Sequence, residues 1–151
     1  IRGYSHLIDI LLWILEASPS EVYAMMDYKD CEVDILTAMT IKFDTGTLCN
    51  ISVVGHAVGG MSEDFTIWLE KGTLFIRQGT IYREEQRTGR LEVQETELPT
   101  GSNKDQTFIE LIRGNRTDNP IDMSNGLRVI QLTEAAWRSA DLNQPVQVDL
   151  D

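Results

Sequence analysis

The chain has 151 residues, 42% of them hydrophobic and 25% charged, a composition that suits one folded domain with a real core and is too short for two of ordinary size. Its 24 acidic and 13 basic residues leave a formal charge of −11, which repels a phosphate backbone and removes nucleic acid as an expected partner. No apolar run is long enough to span a bilayer, and nothing resembles a signal or transit peptide.

The first predicted element is a helix over Ser5–Glu16, with apolar residues at 7, 8, 10, 11, 12, 14 and 15 wrapping most of its circumference. Ser5 is placed to cap it, and His6 and Asp9 share one side of the first turn. Trp13 reads as a core residue. Pro19 stops the helix, and strands follow over Glu21–Tyr28, Asp34–Phe43 and Thr47–Val54, the last two joined at Asp44-Thr45-Gly46. Gly55, Gly59 and Gly60 read as loop glycines, because they lack the Gly-x-Gly-x-x-Gly spacing and no helix follows them. His56, at the strand end, reads as an ordinary surface or hydrogen-bonded histidine.

A second hairpin alternates Phe65, Ile67 and Leu69 with Thr66, Trp68 and Glu70, turns at Lys71-Gly72 and returns over Thr73–Arg77. Trp68 stands on the face where polar groups are expected, which marks it as an interface candidate. Strands over Thr80–Arg83 and Leu91–Glu97 are rich in charge and are expected at an exposed edge. A helix from Asp105 or Thr107 ends at Gly114, and Ser124 is placed to cap a longer helix to about Ala140. Leu127, Ile130, Thr133 or Glu134, and Trp137 form its expected inner stripe, with Trp137 in the core. Val146–Val148 closes the chain as a short strand. The order predicts an α+β fold, a mostly antiparallel open sheet with helices packed on one face and the other face solvated or covered by another subunit.

The two cysteines, Cys31 and Cys49, have no CxxC partner and read as free thiols of a reducing, cytoplasmic setting. No metal-ligand spacing occurs, and neither Gly-x-Ser-x-Gly nor an activated cysteine supports hydrolase chemistry.

The string His6-Leu7-Ile8-Asp9 running to Trp13 resembles the start of the C-terminal domain of the glucose-fructose oxidoreductase, inositol dehydrogenase and rhizopine-catabolism (Gfo/Idh/MocA) family. Asn125-Gly126-Leu127, Glu134-Ala135-Ala136, Ser139-Ala140 and Pro145-Val146-Gln147-Val148 resemble its closing helix and last strand. The resemblance implies that residues 1–151 form one substrate-binding and oligomerising domain, separated from an N-terminal dinucleotide-binding domain. The start at Ile1, with no initiator Met, agrees with a fragment or processed chain. It also implies an NAD- or NADP-dependent parent acting on a sugar, inositol or related polyol. In that reading His6 is the acid/base or orienting group, Arg2, Tyr4 and Asp9 contact substrate, and copies associate through the open sheet face. No nicotinamide cofactor is expected to bind this chain alone, since the family's Glu-Lys-Pro lysine and nucleotide pocket belong to the other domain.

The family usually has Asp four residues before this histidine and Gly two before it, where this chain has Arg2 and Tyr4. A guanidinium cannot replace a carboxylate as acceptor, but it can grip an anionic substrate by a forked contact. Altered chemistry or substrate is one reading; a local slip of one residue at Gly3 is another. A different class remains beside them: a non-catalytic dimerisation or interaction domain that has lost the catalytic Asp.

Overall fold

The computed structural model describes residues 5–58, 63–101, 103–120 and 122–150. In chain order the elements are α1 (Ser5–Leu15), β1 (Pro19–Asp27), β2 (Leu36–Phe43), β3 (Leu48–Val54), β4 (Asp64–Leu69), β5 (Gly72–Arg77), β6 (Thr80–Glu85), β7 (Gly89–Glu92), a 3-10 turn at Glu95–Glu97, α2 (Lys104–Ile112), α3 (Met123–Leu142) and β8 (Val146–Gln147). The fold is α+β, as expected. The strands, however, form two antiparallel four-stranded sheets, β3-β2-β1-β8 and β4-β5-β6-β7, where a single sheet was expected. They belong to two compact units, residues 1–58 with 119–151, and residues 59–118.

In the first unit, β1 and β2 alternate buried and exposed residues, as strands with one wet face do. Val22, Ala24, Met39, Ile41 and Phe43 point inward and meet Ile8, Leu11 and Leu12 of α1 and Val129, Leu132, Ala135 and Ala136 of α3. The β2–β3 hairpin turns where expected. Gly46 takes φ +85°, a conformation that costs glycine little, and Phe43 N–H and Thr47 O close the turn at 2.9 Å.

α3 turns a different stripe inward from the one expected. Val129, Leu132, Ala135, Ala136 and Ser139 are buried, while Leu127 and Ile130 are about half exposed. Small residues decide this. Alanines and a serine let the helix axis approach β1, and Ser139 Oγ accepts from the Ala24 N–H at 3.0 Å while donating to Gln144 O at 2.7 Å. Trp137 packs half-buried against the core. Ser124 lies inside the first turn rather than capping it; its hydroxyl donates to Asp122 Oδ2 at 2.7 Å, and Asp122 holds the cap position. Asn143 ends the helix in the left-handed region at φ 53°.

The second unit has an open meander. β6 pairs on both sides, so β7 alone lies at the charged edge of the pair expected there, and it ends at Glu92. Arg90 lies over the Phe75 ring at 3.7 Å from its centroid, and Arg77 donates to Phe65 O and Thr66 Oγ1 at 2.8 and 2.6 Å. These contacts tie neighbouring strands together. No hydrophobic side chain among the unit's described residues is fully buried, so strand pairing and edge-to-edge contacts have a large share in its order. Asn103 caps α2 by accepting from the Asp105 N–H at 2.9 Å, and Gly114 follows at φ +69°.

Candidate functional site

The head of α1 is the place the sequence singled out, and helical geometry decides what it presents. At about 100° per residue, Ile8, Leu11 and Leu12 cluster around one direction, which is the buried one. His6, Ile10 and Trp13 fall on the opposite side, spaced i, i+4 and i+7. All three are exposed, Ile10 by 38% and Trp13 by 65%. Trp13 is therefore not a core residue: it stands one position past Leu12, which rotates it out of the inward stripe. The helix expected to be covered on several sides is covered on one.

His6 thus heads an outward stripe whose other members are apolar. Asp9 is half-buried at its flank. Ser5 is the first residue of α1 rather than a residue ahead of it. Arg2 and Tyr4 lie outside the described residues. The far end of α1 is fixed by Arg128, whose guanidinium donates to Ala17 O. That contact sets the C-terminal end of α1 level with the first half of α3.

Sequence reading missed a groove on the outer C-terminal half of α3. Gln131, Glu134, Trp137, Arg138 and Asp141 line it together with Asp149, around a volume of about 380 Å³. Its cation is already occupied. Arg138 donates to Asp149 at 3.1 Å, which leaves Glu134 and Asp141 to give the groove an acidic character. The inward register of α3 exposes these residues, so a signal lay in the small-residue positions 135, 136 and 139.

Trp68 is 79% exposed, on the β4 face expected for it. It aligns across the sheet with Thr73, Glu84 and Arg90. The sheet that carries it is not the one α1 and α3 cover. The open face of that first sheet holds Tyr23, Met25, Leu48 and Val54, all exposed. His56, past the end of β3, is exposed. The Asp27 carboxyl is held below its usual range by the Lys29 hydrogen bonds, with a smaller contribution from the charge of His56. Burial pushes the Cys49 thiol up, while Cys31 is exposed; both are free. Among the described residues no group of three or more His, Cys, Asp or Glu side chains is placed to hold a metal. No described helix is long and apolar enough to cross a membrane.

The family model described as the GFO/IDH/MocA C-terminal domain matches residues 3–75. That likeness covers just under half of the chain. The domain's architecture recurs in solved structures. The WlbA dehydrogenase of Bordetella pertussis, in complex with NADH and UDP-GlcNAcA, is 21% identical with a TM-score of 0.77, over 99% of this chain and 44% of that one. The Chromobacterium violaceum WlbA dehydrogenase, with the same two ligands, is 22% identical with a TM-score of 0.79, over 99% of this chain and 45% of that one. A levoglucosan dehydrogenase in complex with NADH and L-sorbose is 17% identical with a TM-score of 0.78, over 96% of this chain and 48% of that one. At these identities the likeness is one of fold, and the chain spans somewhat under half the length of each. No curated protein matches the chain in sequence.

Proposed function

We propose that the chain is the substrate-binding and oligomerising C-terminal domain of a cytoplasmic NAD(P)-dependent oxidoreductase acting on a sugar, inositol or related polyol. The observation that carries this reading is His6, exposed at the head of α1 within the segment matched by the family model. Solved structures of the same fold hold NADH together with a sugar or nucleotide sugar, which supports the substrate class.

The chain's own residues do not fit a dinucleotide. After β3 the next described element is the strand β4 rather than a helix whose N-terminus would receive a pyrophosphate. The α3 groove is acidic and would repel one. Nicotinamide bound by the parent's other half supplies the hydride acceptor. Within this domain the His6 imidazole takes the hydroxyl proton of the substrate at a ring nitrogen as the alcohol is oxidised. Asp9, one turn on, orients the imidazole or a substrate hydroxyl, and Arg2 and Tyr4 contribute substrate contacts. Copies associate through the open face bearing Tyr23, Met25 and Leu48, with Trp68 as a further anchor.

The test is turnover by the full-length parent with NAD and NADP against sugars, inositols and a nucleotide sugar, beside its His6→Ala variant. A folded variant whose kcat falls about 10²- to 10⁴-fold is the expected result. A parent that binds nucleotide and turns over nothing, or a variant as active as the parent, overturns the role of His6 and favours a non-catalytic interaction domain.

A further inference from the structure

Apolar packing leaves one freedom of α1 unsettled. Ile8, Leu11 and Leu12 join the core, which decides the side of the helix that faces inward. The hydrophobic effect is non-directional, however, and holds a helix only loosely along its own axis. Directional bonds do this at the C-terminal end. Glu16 leaves the helix at φ 47°, its N–H still donating to Leu12 O at 3.1 Å. Ser18 then exchanges two hydrogen bonds with Asp44 of the β2–β3 turn: its N–H donates to Oδ1 at 3.2 Å, and its carbonyl accepts from the Asp44 N–H at 3.0 Å. Between them Ala17 is buried, and its carbonyl oxygen accepts from the Arg128 guanidinium of α3. The exit of α1 is thus tied both to the hairpin and to α3.

Arg128 makes its contact at a cost. Its Nε is buried and has no hydrogen-bond partner among the described residues, a penalty that a lysine or an apolar residue at this position would not carry. What the arginine supplies in return is geometry: a planar fork whose donors have fixed directions, with its charge at the helix end that favours a cation. We propose that Arg128 is a positioning residue for His6, an inference that rests on the function proposed above. α1 is a single helix of 11 residues, about 16 Å long, so an axial shift allowed at Ala17 is carried to the imidazole at the other end. Arg128 touches the end of the helix opposite His6 and acts only through it. A displacement of about 1 Å at a reacting group is enough to slow a reaction about 10²-fold.

The experiment is steady-state kinetics of the full-length parent, with the best substrate of the panel above. Arg128→Met keeps the aliphatic stem and removes the donors, and Arg128→Lys returns one charged donor to Ala17 O. Ser139→Ala is the control, since it removes a buried hydrogen bond between α3 and β1 and leaves the exit of α1 untouched. In Arg128→Met, kcat is expected to fall about 10- to 100-fold while KM moves less than about twofold; Arg128→Lys recovers most of the loss, and Ser139→Ala keeps the parent's kcat at a lower Tm. The His6→Ala, Arg128→Met double variant is expected to be no slower than His6→Ala alone, because a residue that acts through His6 then has nothing to act on. Losses that multiply in the double variant overturn the positioning role, as does an Arg128→Met kcat within about twofold of the parent's or an equal fall in Ser139→Ala. If Arg128→Met does not fold, Arg128→Gln, polar and shorter, replaces it under the same criteria. A His6→Ala variant as active as the parent overturns instead the functional reading on which the proposal rests.

Discussion

Gly72 opens β5 at a point where the chain has no room for a side chain. A Cβ built there would lie 2.5 Å from the carbonyl oxygen of Glu84 on the paired strand β6, and 3.5 Å from Glu84 C. The obstacle is backbone, so no rotamer change relieves it. Ordinary contact begins at 3.4 Å, and roughly 0.9 Å of separation would have to open between strands that hydrogen bonds hold about 4.8 Å apart. Overpacking of this kind costs about 1–3 kcal/mol, and straining one ladder hydrogen bond adds about 1 kcal/mol. The lower entropy of an unfolded alanine returns about 0.4–1 kcal/mol. Gly72→Ala is therefore expected to destabilise by about 2 kcal/mol, which for a chain of this length lowers Tm by about 4–8 °C. Thermal unfolding followed by circular dichroism reads it, with Gly101→Ala as the control, since a Cβ there meets nothing within 4 Å and its φ lies outside the left-handed region. A Gly72→Ala protein melting within 1 °C of the parent would refute the close approach of β5 and β6.

Ser139→Ala is expected to cost about 1–3 kcal/mol in urea unfolding, because it leaves the buried Ala24 N–H without its acceptor. Leu132→Ala, at a position fully withdrawn from solvent, is expected to cost about 2–5 kcal/mol in the same assay. Asn143→Val is expected to destabilise and Asn143→Gly to be neutral or better, since φ 53° strains a branched residue and not glycine; the two midpoints, compared, check the helix end. Burial raises the Cys49 thiol, so its proton is held more tightly in the folded chain than in the unfolded one. The stability this gives is complete below the ordinary thiol range and is lost as pH rises through the folded value. Alkylation of Cys49 should accordingly lag that of Cys31 and shift to more alkaline pH, and equal pH profiles for the two would contradict its burial.

Most strands were legible because they follow from alternation and turn residues, although the strand expected over Leu91–Glu97 runs over Gly89–Glu92. The Asp44-Thr45-Gly46 hairpin needed only local information, and the turn expected at Lys71-Gly72 falls one residue earlier, at Glu70-Lys71, with Gly72 already in β5. Three features were not legible in the same way. The division of strands between two sheets depends on pairing between distant segments, which alternation does not encode. The inward stripe of α3 followed residue size rather than hydrophobicity: Leu127 and Ile130 are more apolar than Ala135, Ala136 and Ser139, yet close approach to β1 favours the smaller side chains. Trp13 was misplaced for a related reason. A helix apolar around most of its circumference reads as covered on all sides, and the sequence does not state which side lacks a neighbour.

Those two misplacements have one origin. Both concern apolar residues assigned to the core by hydrophobicity alone and found outside it, on adjacent helices and on the same side of the sheet. A solitary exposed tryptophan or leucine is ordinary, but Ile10 and Trp13 on α1, with Leu127 and Ile130 on α3, are each in register with their own helix's outer face. His6 belongs to the same register as Ile10 and Trp13, so one helix orientation sets the exposure of all three. A change that rotated α1, such as substitution of buried Ile8 or Leu12, is therefore expected to lower the parent's Tm and kcat together, whereas His6→Ala should lower kcat and leave Tm unchanged.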